Sequence, residues 1–185
     1  RGALELPETA WPRDAWAALD ATGATSDTLK VTRDFQQSLD KLAGAVAKTF
    51  ATTPGASLPC PPDTFGKDAA CTKAFVGNAG GKLFRGQIAT ADVDAFVELA
   101  TGIAARAGGR TALETTVRAL LLSPQFLYLT EGVDRQVASE GRPAAPMAPE
   151  EIASYLSYRL TGAPPSTALV ERLRAAHPPR PEALK

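Results

Sequence analysis

Cys60 and Cys71 are the only cysteines in the sequence, with ten residues between them. Thiols at such a spacing can bridge, stay buried and reduced, or help to hold a metal. Pro59, Pro61 and Pro62 stiffen the first half of the intervening loop and exclude helix there. Cys71 falls in Lys67-Asp68-Ala69-Ala70-Cys71-Thr72-Lys73-Ala74-Phe75-Val76, which reads as a helix start. The even count and the prolines between the pair favour a disulfide that staples an extended segment to the first turn of that helix. Two buried reduced thiols are the alternative. Metal binding ranks last, because two cysteines are too few ligands and His177, the only histidine, is more than a hundred positions away. A bridge of this kind persists in oxidising compartments, so the pair predicts a periplasmic or extracellular protein.

The other groups capable of chemistry read more plainly as structure. Gly77-Asn78-Ala79-Gly80-Gly81-Lys82 has a superficial likeness to a phosphate loop. Its spacing is wrong, Leu83 replaces the hydroxyl residue that would hold magnesium, and no strand precedes it, so a Gly-rich helix exit is expected. Asp92, Asp94 and Glu98 could suggest a metal or acid–base group, yet acidic residues in a first helical turn follow from the macrodipole alone, and a solvated face is expected. His177 as a haem ligand partnered by Met147 rests only on counting; a helix C-terminal charge–dipole contact is the expected role. Trp11 and Trp16 could stack on a sugar, but a short amphipathic helix packed on the body is commoner. No Gly-x-Ser-x-Gly, paired Cys–His nucleophile or His-Glu-x-x-His occurs. The sequence thus assigns no catalytic, cofactor-binding or metal-binding residue, and its only special pair is Cys60 and Cys71.

The 185 residues carry 20 basic and 20 acidic side chains, so no charge excess marks a nucleic-acid partner. No run of eighteen apolar residues occurs, which predicts no membrane span. Helical periodicity dominates. Pro12 to Leu19 reads as a short helix after an extended lead-in. Phe35, Leu39, Leu42, Ala43, Val46 and Phe50 share one helix face, with Thr32 as its cap and Thr53-Pro54-Gly55 as its end. A helix from the Cys71 region runs to about Asn78. Another starts at Thr90, with Val93, Phe96, Val97 and Ala100 inward, and stops at Gly108-Gly109. Thr111-Ala112-Leu113-Glu114 fits a capping box for the next, which carries Leu113, Val117, Leu120 and Leu121. Ser123-Pro124 either kinks or restarts that helix. Leu120, Leu121, Phe126 and Leu127 are expected deepest in the core. Residues 133–148 read as a linker. Pro149 opens a helix with Ile152, Tyr155, Leu156 and Leu160 inward, ending at Gly162, and Ser166 caps a last one through Ala176. The predicted fold is all-α, an irregular or orthogonal bundle of six to eight helices with one Pro-rich disulfide loop. Residues 1–132 would form a helical domain, and 149–185 the start of a second, incomplete module.

Leu120-Leu121-Leu122-Ser123-Pro124-Gln125-Phe126-Leu127-Tyr128 with Glu131, and Ile152-Ala153-Ser154-Tyr155-Leu156-Ser157-Tyr158-Arg159-Leu160, resemble segments of a family of secreted, multidomain bacterial proteins of unknown function. These are of the planctomycete type and often cytochrome-associated. Cys71 to Arg85, with Ala74-Phe75 and Leu83-Phe84-Arg85 ahead of the acidic helix start at Asp92, is similar to the preceding module of that family, and Val31-Thr32 with the Phe35–Phe50 helix fits an earlier segment. The chain departs from the family at Tyr155, where an arginine is usual, and at Arg159-Leu160-Thr161-Gly162, where a Phe-Leu-Trp ending is usual. The resemblance implies an internal part of a longer protein, or a processed or divergent subunit, with the Cys-x-x-Cys-His haem signature of such proteins in a later module and no cofactor in this segment.

The function expected is a non-catalytic helical module of an exported bacterial protein, serving as scaffold or subunit interface. The first alternative is part of a redox periplasmic assembly whose haem is carried by another segment or partner. The second is an enzyme acting on an extracellular polymer. The partner expected is another protein chain, or a missing part of the same polypeptide, covering the C-terminal third.

Overall fold

The structure, a computed structural model, describes residues 4, 6, 12–20, 32–85, 88–128, 148–162 and 164–176. The fold is all-α. Among the described residues there are eight α-helices and no strand: α1 (Arg13–Asp20), α2 (Arg33–Thr52), α3 (Ala69–Leu83), α4 (Thr90–Ala107), α5 (Gly109–Leu122), α6 (Pro124–Leu127), α7 (Pro149–Thr161) and α8 (Thr167–Ala176), with a 3-10 turn at Pro62–Thr64. The chain divides into two compact units, Arg1–Phe84 with Ile88–Leu127 and Arg85–Gln87 with Tyr128–Lys185. Except for Ala148, the expected linker at 133–148 lies outside the described residues.

In the first unit α5 is central. It packs against α2, α3, α4, α6 and the 3-10 turn, while α1 lies on α2 and α3 on α4. The helix ends follow local chemistry. Thr32 Oγ1 accepts from the Phe35 N–H at 3.2 Å, and Asp68 Oδ1 accepts from the Cys71 N–H at 2.9 Å. Leu42, Ala43, Val46, Ala47, Phe50 and Ala51 are the buried face of α2. Phe75 centres the core: its ring stacks on Phe50 and takes Phe65 edge-on, each at 5.5 Å between centroids.

The structure departs from the sequence expectations at four places. First, α3 does not exit at Gly80-Gly81 but continues to Leu83; Gly80 is not a breaker but a buried close-packing position, where a Cβ would collide with the end of the Ile88 side chain. Second, α5 begins at Gly109 rather than at the Thr111 capping box. Gly108, at φ 86°, ends α4 and starts α5 without an intervening loop. Gly109 sits so close to the Pro62 and Asp63 carbonyls that any side chain there would strike them. Third, Ser123 adopts an extended conformation and α6 restarts as a single turn, so Phe126 and Leu127 are only half-buried while Leu120 is fully enclosed. Fourth, α7 buries Glu151, Ala153, Ser154 and Ser157, and turns Tyr155, Leu156 and Leu160 outward. α8 packs on α7, its start capped by Ser166, with Leu169, Val170 and Leu173 half-buried.

Two outcomes follow for stability. Leu120→Ala should cost about 2–5 kcal/mol and Leu127→Ala clearly less, read from denaturant midpoints at unchanged slope. Gly66, at φ 78°, faces the Ala100 carbonyl oxygen, which a Cβ would approach to 2.6 Å. Gly66→Ala combines left-handed strain of about 1–2 kcal/mol with overpacking of about 1–3 kcal/mol, and should lower the midpoint by more than Gly44→Ala, where a Cβ meets nothing within 4 Å.

Candidate functional site

The cysteine pair is joined. Cys60 and Cys71 form a disulfide with a Cα–Cα distance of 6.0 Å. The loop it closes is built around a buried aromatic. Pro61 precedes the 3-10 turn, and Phe65 follows it and drops fully into the core against Phe75. Gly66 then reverses the chain; its N–H donates to Thr72 Oγ1 at 2.9 Å, and that hydroxyl donates to the Asp68 carbonyl at 2.7 Å. Arg110 clamps the outside of the loop: Nη1 donates to the Ala51 carbonyl at 2.8 Å and Nη2 to Asp63 Oδ2 at 3.2 Å. Ser57 Oγ, just before the loop, donates to the Leu4 carbonyl at 3.2 Å, and Leu4 and Leu6 join the core.

The acidic residues do not converge. Lys73 Nζ meets Asp94 Oδ1 at 2.9 Å and ties α3 to α4. Asp92 Oδ2 accepts from Gln125 Nε2 at 3.3 Å, while the Ser123 hydroxyl donates to Gln125 Oε1. Ser123-Pro124-Gln125 thus clips the α5–α6 turn to the first turn of α4. Asp40 accepts a forked pair of bonds from Arg118 Nη2 at 2.6 and 2.7 Å, and this contact holds the Arg118 guanidinium above its ordinary range through the hydrogen bond first and the charge second. Among the described residues no group of three His, Cys, Asp or Glu could hold a metal ion. The Gly77–Lys82 run is interior to α3, as a helical segment rather than a phosphate loop. His177, Met147, Trp11 and the Trp16 side chain lie outside the described residues. No helix among the described residues is long and apolar enough to cross a membrane.

The feature that sequence reasoning missed is the outer face of α7. Ile152, Tyr155, Leu156 and Leu160 fall at i, i+3, i+4 and i+8 and form one stripe. Ile152 is half-buried, whereas Tyr155 is 50% exposed, Leu156 39% and Leu160 80%. The Arg159 guanidinium lies over the Tyr155 ring, 5.4 Å from its centroid. On the adjoining side Arg85 sits 5.4 Å from the Tyr158 centroid and donates to the Tyr128 carbonyl at 3.2 Å. Ala153, Ser154 and Ser157, at i, i+1 and i+4, offered a competing small-residue face, and that was the available signal.

These elements define an all-α helical module with a disulfide-closed loop. Residues 71–131 match the profile of a family described as PSD5, protein of unknown function (DUF1595). The match takes in α3, α4, α5 and α6. Neither the curated proteins nor the solved structures contain a match to the chain.

Alkylation followed by intact mass should find no free thiol without reductant and two after reduction. Reduction should lower the melting temperature, since closing a loop of this size stabilises by roughly 2–3 kcal/mol. Two alkylated thiols in the unreduced protein would contradict the bridge.

Proposed function

We propose that the chain is a non-catalytic helical module of an exported bacterial protein and serves as a scaffold or subunit interface. The observation that carries this reading is the α7 stripe. An amphipathic helix ordinarily turns its large apolar residues inward. α7 does the reverse: small and polar residues are buried, and Leu160 stands 80% exposed beside Leu156 and Tyr155. Enclosing a fully exposed leucine is worth about 1.5–3 kcal/mol; Leu160 comes near that, and Leu156 and Tyr155, already partly covered, add proportionally less, so covering the three together is a driving force for association. The disulfide supports an oxidising compartment, and hence a periplasmic or extracellular place of work. The carboxylates support the same reading from the other direction, because Asp40, Asp63, Asp92 and Asp94 are engaged in ties between elements of the first unit.

The purified chain should bind an apolar-surface dye, and the double substitution Leu156→Glu with Leu160→Glu should remove most of that signal at unchanged far-ultraviolet circular dichroism. A wild-type chain that leaves the dye dark would overturn the interface reading.

A further inference from the structure

The chemistry of the stripe narrows what it can receive, on the reading of the chain as an interaction module. The apolar part runs from Ile152 to Leu160, about 12 Å along the axis, which suits two turns of a facing helix presenting residues at i, i+3 and i+4. Its only charge is Arg159. A basic residue in a last turn ordinarily serves the C-terminal carbonyls. Arg159 instead lies back over the Tyr155 ring, one turn toward the N-terminus. Stacking on the ring occupies the flat face of a guanidinium and leaves its edge N–H groups able to grip a carboxylate with two parallel bonds. Among the described residues no carboxylate meets it. Tyrosine and arginine are also among the residue types enriched in interface hot spots.

A second copy meeting the stripe with its own stripe answers it poorly. The stripe itself contains no acidic residue. Glu151, at its N-terminal end, is buried and accepts from the Ala148 N–H at 2.7 Å, and Glu150 is held by Arg174. Two stripes placed face to face would bring two Arg159 side chains and no free carboxylate. A heterologous partner supplies what is missing.

We infer that the outer face of α7 docks an amphipathic helix of another polypeptide, one carrying a carboxylate beside its apolar residues, and that Arg159 reads that carboxylate. Leu156 and Leu160 provide the apolar contact and Tyr155 holds the guanidinium in place.

The test uses the full chain and a display library of helical peptides with leucines fixed at i, i+3, i+4 and i+7 and flanking positions randomised. Recovered peptides should be enriched in Asp and Glu beside the leucines. The tightest of them should lose about tenfold or more in affinity against Arg159→Ala and against Leu160→Asp, with circular dichroism unchanged in both, and should weaken as salt is raised. Peptides recovered without acidic enrichment, or an affinity indifferent to Arg159→Ala but abolished by Leu160→Asp, would overturn the carboxylate assignment while leaving the interface reading intact. A dimer by light scattering that dissociates on Leu160→Asp would replace the heterologous partner by a second copy. Recovery of no peptide, together with a dark apolar-surface dye, would overturn both.

Discussion

Phe65 lies in a proline-rich loop and yet is fully buried, and the first unit is organised around that constraint. The Phe65 N–H closes the 3-10 turn on the Pro62 carbonyl at 3.3 Å, but so short a turn has little helical support, and ordering the loop backbone costs about 1–2 kcal/mol per residue that must be offset from elsewhere. The Cys60–Cys71 bridge closes the loop and limits the unfolded alternatives. Gly66 supplies the left-handed turn that lets the chain pass close under Ala100, and Thr72 takes the freed N–H. Gly109 lets α5 start against the loop carbonyls, and Arg110 holds the loop to the end of α2. The aromatic group Phe50, Phe75 and Phe65 is therefore where α2, α3 and the loop meet, and α5 fills the remaining side of the unit.

The polar side chains serve the same end. Lys73–Asp94, Arg118–Asp40 and the Ser123–Gln125–Asp92 chain each join two elements of the first unit, and each lies at least partly in solvent. Such exposed pairs contribute about 0–1 kcal/mol apiece, so they set register more than they add stability. Residues 71–131, which match the family of unknown function, contain two of these three ties and the central helix. What the described residues of that segment display is helix geometry maintained by short polar clips.

α7 obeys a different balance. Ala153, Ser154 and Ser157 are buried, and the Ser154 hydroxyl is left without a hydrogen-bond partner. The large side chains are displaced to the outside, where water is a poor solvent for them. Arg159 and Tyr155 mitigate this by covering one another, since a guanidinium stem and an aromatic ring share apolar area while keeping donors wet. The second unit thus meets solvent through a surface with the composition of an interface.

Local interactions were legible from residue order alone. The cap at Thr32, the breaker at Pro54, the proline start of α7, the stop at Gly162, the cap at Ser166 and the pairing of the two cysteines depend on neighbours within a few positions or on a count, and sequence carries both. The apolar period of α2 was legible because only one of its faces is large and greasy. Tertiary structure decided the rest. Gly80 and Gly109 look like breakers in a string of residues, but they sit within helices and are glycine where another segment passes in the place of a side chain. Phe126 and Leu127 read as core, yet Ser123-Pro124 ends the α5 hydrogen-bond ladder before them and swings them to the rim. α7 offers two faces of helical period, one small and one large, and periodicity ranks them by hydrophobicity alone. Which face turns inward depends on what packs against the helix, a property of three-dimensional packing that no single segment contains.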